Sequence, residues 1–173
     1  MKVRIKRLVP EAELPRYMHP EDGGMDLVAV SKIFDEYGAV VYGTGLAIEI
    51  PPGFIGLIFP RGSNAKKDLS LANAVGVIDP GYTGEVLLKF KPMGYFAQDL
   101  GMEDGVISDS YDFICFGKEY PEDPDYTDLY TVGDRIGQLI ILERPHIVWE
   151  EVFELSESER GTGGFGSTNT GLP

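Results

Sequence analysis

The sequence predicts an all-β domain, a distorted barrel or jelly-roll-like sandwich of about ten or more short strands with one short helix. Three observations predict it. The 173 residues include 22 Gly and 12 Pro, a turn-rich composition that favours short strands over long helices. Apolar and β-branched runs recur at strand length, several alternating with polar residues. No long helical period and no internal repeat interrupts them, and the length suits one domain with a sizeable core.

The opening strand, Val3–Leu8, alternates Val3 and Ile5 with Lys2, Arg4 and Lys6, so one of its faces is wet. Glu11–Pro20, together with Val9-Pro10, carries three prolines and reads as an extended surface loop. Glu21–Val30 joins a Gly-Gly turn to an apolar strand. Asp26 stands at the junction, either as a structural group or as an aid to holding a metal-bound phosphate. Ala39–Tyr42 and Gly45–Ile50 read as two strands, the second alternating Leu46, Ile48 and Ile50 with Ala47 and Glu49. Pro51-Pro52-Gly53 is a hard turn, and Phe54–Phe59 is the next strand.

In Pro60–Asp68, Ser63 is expected to cap a short helix with Ala65, Lys66 and Lys67 in its first turns. Free N–H groups beside Arg61 would make an anion site there. Ala74–Ile78 is small, apolar and β-branched, as suits a buried strand, and Asp79-Pro80-Gly81 is turn chemistry. Glu85–Phe90 reads as the returning strand, giving a hairpin with Asp79 and Tyr82 near its tip. A carboxylate in such a turn is either a turn-former or a catalyst.

Between Lys91 and Tyr130, ten Asp and Glu face the single Lys118, with aromatic residues interleaved. This acidic stretch, about 91–130, reads as a surface insertion with one strand or hairpin around Ser110–Phe116. Its Asp123-Pro124-Asp125 pattern lacks the complete spacing of a calcium loop. Leu129–Val132 and Arg135–Leu142 read as strands joined by a Gly133-Asp134 turn. Arg135 is expected in an ion pair with a carboxylate, and Asp134 in a structural role. His146–Phe153 is expected to close the core with Ile147, Trp149, Val152 and Phe153. The chain therefore divides into a domain, 1–159, and a Gly-rich flexible arm, 160–173, able to order over a ligand.

The net charge of −13 excludes a general nucleic-acid binder but admits a nucleotide substrate, since a few local cations suffice for phosphate. Cys115 is the single cysteine, which excludes an internal disulfide framework and a Cys-based zinc site. No leader-like apolar region and no run of ~18 apolar residues is present, so no membrane role and a cytoplasmic location are expected, a host cytoplasm if the protein is phage-encoded.

Five polar islands now stand in order: GGMDL at Gly23–Leu27, PRGSNA at Pro60–Ala65, NAVGVIDPGYTGE at Asn73–Glu85, GDRIGQL at Gly133–Leu139 and RGTGGFGST at Arg160–Thr168. In these the chain resembles the trimeric deoxyuridine triphosphatase (dUTPase) family along nearly its whole length. The resemblance implies a β-barrel-like homotrimer with active sites shared between subunits. It implies hydrolysis of dUTP to dUMP and pyrophosphate with Mg²⁺, which limits uracil incorporation into DNA and supplies dUMP for dTMP synthesis.

The roles it implies are specific. Asp79 bonds the deoxyribose 3′-OH and orients or deprotonates the attacking water. Tyr82 packs under the deoxyribose and rejects a 2′-OH, while backbone groups near Asn73 and at Gly76, Val77 and Ile78 read the uracil edge. Arg61, Ser63, Gln138 and Arg160 hold the phosphates. Asp26 organises water around Mg²⁺, which the triphosphate itself mainly holds. Phe165 closes over the base, with Gly166 and Ser167 of the same arm among the substrate-binding residues. The second motif departs from the usual Pro-Arg-Ser-Gly. Gly62 occupies the serine position, so either Ser63 serves from a shifted position or the Gly62 N–H does part of its work.

Two rival readings stand beside this one. The related dCTP deaminases share the fold, but the strand leaving the hairpin carries Lys89 where that chemistry looks for a glutamate. A nucleotide-binding regulatory protein would instead dock a protein partner through the acidic insertion.

Overall fold

The computed structural model describes residues 1–67, 69–92, 129–158 and 160–163, whose regular structure is two antiparallel sheets and one 3-10 turn. The strands are β1 (Arg4–Arg7), β2 (Met25–Val28), β3 (Ser31–Phe34), β4 (Val40–Glu49), β5 (Phe54–Phe59), β6 (Leu69–Leu71), β7 (Gly76–Ile78), β8 (Glu85–Pro92) and β9 (Arg135–Glu143). One sheet runs β1-β4-β8-β6 with β3 also on β4, and the other runs β2-β9-β5-β7. The fold is the all-β, jelly-roll-like class that the composition predicts.

Strand β4 is continuous where two strands are expected. Its Gly43-Thr44-Gly45 stretch is an irregularity in the ladder, not a break: pairing with β8 runs from Val40↔Phe90 to Gly43↔Leu87 and resumes at Ala47↔Glu85. Gly45 has φ of 64°, a left-handed conformation that favours glycine, and a side chain there would meet Val9 at 2.6 Å. β3 covers one half of this edge of β4 and β1 the other. The short β3 and β6 are absent from the sequence reading, because three or four residues carry too little period to register.

The expected hairpin is a different object. β7 pairs with β5 in one sheet, whereas β8 pairs with β4 and β6 in the other. The paired arms are β6 and β8, in register at Leu71↔Phe90. Residues 72–84 form a broad excursion from that pair that crosses to the second sheet and leaves three residues there as β7.

The core lies between the sheets. Tyr42, Phe90 and Tyr130 meet with ring centroids 5.9, 6.0 and 5.7 Å apart, and Leu27, Leu46, Leu88, Ile136 and Leu139 pack around them fully buried. Each such side chain contributes about 1.5–3 kcal/mol of burial. Two further expectations fail here. Leu129–Val132 is not a strand; Tyr130 is held instead by its carbonyl, which accepts the Tyr42 hydroxyl at 2.9 Å, and by its buried ring. His146–Phe153 does not close the core. Its ladder ends at Glu143, Pro145 supplies no donor, and Ile147, Val148, Trp149, Val152 and Phe153 are exposed, Trp149 at 89%.

Candidate active site

Three chain segments deliver the first group of residues to one place. β2 pairs with β9 so that Asp26 stands opposite Gln138, and β5 ends at Phe59↔Gln138, two residues before Arg61. Asp26 is only 5% exposed, and a carboxylate so buried needs cationic partners. Oδ1 accepts from Arg61 Nε at 2.9 Å and from Gln138 Nε2 at 3.4 Å, while Arg135 Nε lies 3.6 Å from Oδ2. Oδ2 itself accepts no hydrogen bond among the described residues. The carboxylate partner expected for Arg135 is thus Asp26.

Beside this cluster opens a cavity of about 370 Å³ lined by Arg61, Ser63, Lys67, Tyr130, Gly133, Asp134 and Arg135. Three basic side chains around one opening, in a chain of net charge −13, suit a polyanion. The Tyr130 hydroxyl donates to Asn64 Oδ1 at 3.3 Å; burial pushes its pKa up, so it stays a neutral donor. Lys67 lies over the Tyr130 ring with Nζ 4.7 Å from the centroid and donates to the Leu129 carbonyl at 3.4 Å. Asp134 accepts from Thr131 N at 2.7 Å and Thr131 Oγ1 at 3.1 Å, which closes the loop that forms the cavity wall.

The local helix differs from expectation. It is a 3-10 turn, Gly62–Lys66, capped at Arg61 with no side-chain capping bond, so Ser63 lies within it and does not cap it. Ser63 lines the cavity and a side chain at Gly62 would meet only open space. Lys67 and Tyr130 are site-lining residues that the sequence reading did not single out. Nothing in the sequence separates Lys67 from Lys66 without the 3-10 geometry, and Tyr130 ends an acidic stretch that gives it no distinguishing pattern.

The second group sits on the 72–84 excursion. Asp79, Pro80, Gly81 and Tyr82 form a type II turn, with Tyr82 N donating to the Asp79 carbonyl at 3.2 Å and Gly81 at φ of 92°. The turn leaves Asp79 exposed and Tyr82 46% exposed. Gly76–Ile78 is held by β5, which buries Gly76 and Ile78 and leaves Val77 outward, and Asn73 adjoins Gly76. Among the described residues no hydrogen bond or ion pair joins this group to the Asp26 cluster. Arg160 is exposed and turns back on its own arm, Nε donating to the Gly163 carbonyl at 2.9 Å. Phe165, Gly166 and Ser167, and residues 93–128 of the 91–130 insertion with the strand or hairpin expected around Ser110–Phe116, lie outside the described residues. Lys89, at the deaminase-type position, forms an ion pair with Asp35 on the outer face of the first sheet.

The dUTPase family model matches residues 10–94. The deoxyuridine 5'-triphosphate nucleotidohydrolase of Solibacter usitatus is 38% identical over 174 residues, covering 97% of this chain and 96% of that protein. That of Thermobifida fusca is 36% identical over 170 residues, covering 97% and 79% respectively. Among solved structures, a point variant of the Staphylococcus bacteriophage 80alpha dUTPase with dUpNHpp matches with a TM-score of 0.68 at 25% identity, covering 96% of this chain and 98% of that one.

Proposed function

The chain belongs to the dUTPase family, and from that membership we infer that it is a dUTP nucleotidohydrolase, releasing dUMP and pyrophosphate and so withholding uracil from DNA. The observation that carries the reading is the convergence of Arg61, Lys67 and Arg135 on one cavity of a strongly acidic chain. Arg61, Ser63 and Gln138 take the phosphates, and the 72–84 excursion takes the nucleoside, with Asn73 and the Gly76–Ile78 backbone at the base. Paired backbone groups separate uracil from cytosine because unmatched polar atoms in a dry pocket are costly. Tyr82 packs under the deoxyribose. Asp79 orients a water and accepts its proton as the oxygen bonds the α-phosphorus; the bond to the bridging oxygen breaks and pyrophosphate leaves.

Mg²⁺ fits this chain as a largely substrate-held ion. Among the described residues no cluster of three or more His, Cys, Asp or Glu is available to cage a metal. Asp26 Oδ2, buried without a hydrogen bond, has capacity to accept one from a metal-bound water. When bound, Mg²⁺ neutralises charge on the triphosphate oxygens.

A homotrimer with shared sites is supported by the exposed apolar segment 147–155, and by Arg160, which is exposed and among the described residues bonds only to Gly163 of its own arm. In this reading the arm 160–173 closes the site of the assembled molecule, with Phe165, Gly166 and Ser167 on the substrate. The domain proper is 1–159, and a protein partner for the acidic insertion is a separate proposal tested by deleting it. No helix among the described residues is long and apolar enough to cross a membrane. A cytoplasmic nucleotide pool is the setting we propose.

The test is pyrophosphate release with Mg²⁺ from dUTP, dCTP, dTTP and UTP in parallel, with products identified. Turnover of dUTP to dUMP alone is expected. Equal turnover of UTP would remove the sugar assignment, and deamination of dCTP would replace the reaction.

A further inference from the structure

We propose that Gly84 and Glu85 are positioning residues that lock the ring of Tyr82 and thereby set the discrimination against ribonucleotides. The inference rests on the reading of Tyr82 as the surface beneath the sugar. It concerns what holds that surface still, because an aromatic ring half open to solvent excludes a 2′-hydroxyl only if it cannot step aside.

Two contacts fix the ring. The Tyr82 hydroxyl donates to the Glu85 carbonyl at 2.8 Å. The ring also lies against Gly84, where an added Cβ would stand 2.6 Å from the hydroxyl oxygen, 2.8 Å from Cζ and 3.1 Å from Cε2. The ring therefore occupies the volume that any other residue at 84 would fill. Gly84 is not among the positive-φ glycines, so alanine there suits the backbone and the clash falls on Tyr82.

The acceptor is itself anchored. The irregularity in β4 leaves the Gly45 N–H without a ladder partner, and Glu85 Oε1 accepts it at 2.7 Å. One residue on, the Val86 carbonyl accepts the Thr44 hydroxyl at 2.8 Å. The first two residues of β8 are thus stitched to the irregular segment of β4, and Glu85 joins the two contacts: its side chain holds the strand and its carbonyl holds the tyrosine. A bulge some distance from the nucleoside becomes part of sugar recognition.

The experiment measures kcat/KM for dUTP and for UTP, with Tm, in the full-length enzyme and in Gly84→Ala, Glu85→Ala, Glu85→Gln and Tyr82→Ala. Gly84→Ala is expected to lower the dUTP:UTP ratio by roughly tenfold or more, the range that a displaced packing surface commands, with a native Tm. Glu85→Ala should lower the ratio in the same direction. Glu85→Gln, which keeps an acceptor for Gly45 N–H, should restore it. If Tyr82→Ala changes the ratio and neither Gly84→Ala nor Glu85→Ala does, the positioning role is refuted while the role of Tyr82 stands. If Tyr82→Ala leaves the ratio unchanged, the parent reading fails. Should Gly84→Ala not fold, the contrast between Glu85→Ala and Glu85→Gln decides: equal ratios in those two would overturn the proposal.

Discussion

Arg61 reaches Asp26 through its Nε alone, 2.9 Å from Oδ1. The relationship leaves both Nη groups of Arg61 without a hydrogen-bond partner among the described residues, at the wall of the cavity that Arg61 lines. A guanidinium held by one edge and open on the other is ready for a phosphate, because the geometry of the fork is set before the ligand arrives. Gln138 accompanies it, donating to the same carboxylate oxygen at 3.4 Å. Asp26 therefore orders at once two side chains that the proposed function assigns to the phosphates.

Removing that carboxylate should cost both stability and affinity. Asp26→Ala leaves Arg61 and Arg135 facing each other without the intervening charge, and breaking a buried pair from one side costs about 3 kcal/mol. Asp26→Asn, which keeps an acceptor for Arg61, should recover part of the loss. Urea unfolding of both variants measures the first effect, and the Kd for a non-hydrolysable dUTP analogue the second. Wild-type midpoints in Asp26→Ala would show that the cluster carries no structural weight.

Asp79→Asn separates chemistry from binding. The turn is built by Pro80, Gly81 and the backbone bond from Tyr82 N to the Asp79 carbonyl, none of which uses the Asp79 carboxylate. The substitution should leave the turn intact and lower kcat by about 10²–10⁴-fold, the usual contribution of a general base. Analogue affinity should stay within a few-fold. A kcat near the wild-type value would assign the base elsewhere.

The core predicts an alkaline limit to stability. Burial pushes the Tyr42 hydroxyl up to about 12, against an ordinary value of 10.0. Its neutral form donates to the Tyr130 carbonyl at 2.9 Å. Because the folded value is the higher one, the unfolded chain releases this proton first as pH rises. The contribution is thus complete below about pH 10 and is lost as the pH climbs toward 12, about 2–3 kcal/mol in all. Burial raises Tyr130 in the same sense. Urea midpoints from pH 8 to 12 should fall in the wild type and fall less steeply in Tyr42→Phe, which pays a constant deficit of about 1–2 kcal/mol for the carbonyl left without its donor. Parallel slopes would remove Tyr42 as the group responsible.

The sequence made legible what depends on local chemistry. Phe54–Phe59 is a strand with the expected bounds, because the Pro51-Pro52-Gly53 turn and the following island fix both ends. The Asp79-Pro80-Gly81 turn was legible for the same reason. What depends on remote neighbours was not. Whether β7 pairs with β8 or with β5 is decided by the β6–β8 ladder, whose three-residue first strand leaves almost no trace in composition. The joining of Asp26 to Arg61 and Arg135 depends on the register of β2 on β9, and Ser63 lost its expected capping position because Arg61 has the extended backbone of a cap. The apolar pattern of His146–Phe153 predicted a core-closing segment, and the structure leaves those side chains exposed, because the β9 ladder that would carry them inward ends at Glu143.

The segment after β9 bears on assembly. Ile147, Val148, Trp149, Val152, Phe153 and Leu155 are all exposed, an unusual density of large apolar side chains for a stretch of this length. The described residues of their own chain offer them no core, since the ladder that could carry them ends at Glu143. If a second copy covers them, assembly should bury them and carry the neighbouring Arg160 toward a phosphate site not its own. Light scattering of the wild type should then give a mass of three 19.0 kDa chains. Trp149→Asp combined with Phe153→Asp should shift the population toward single chains while far-UV circular dichroism keeps its β signature. Activity of that variant should fall with its assembly, and should recover as protein concentration is raised, because a site completed by another subunit obeys mass action. A variant that remains trimeric would place the subunit contacts on other surfaces. One that dissociates yet keeps full activity at every concentration would make the site complete within a single chain.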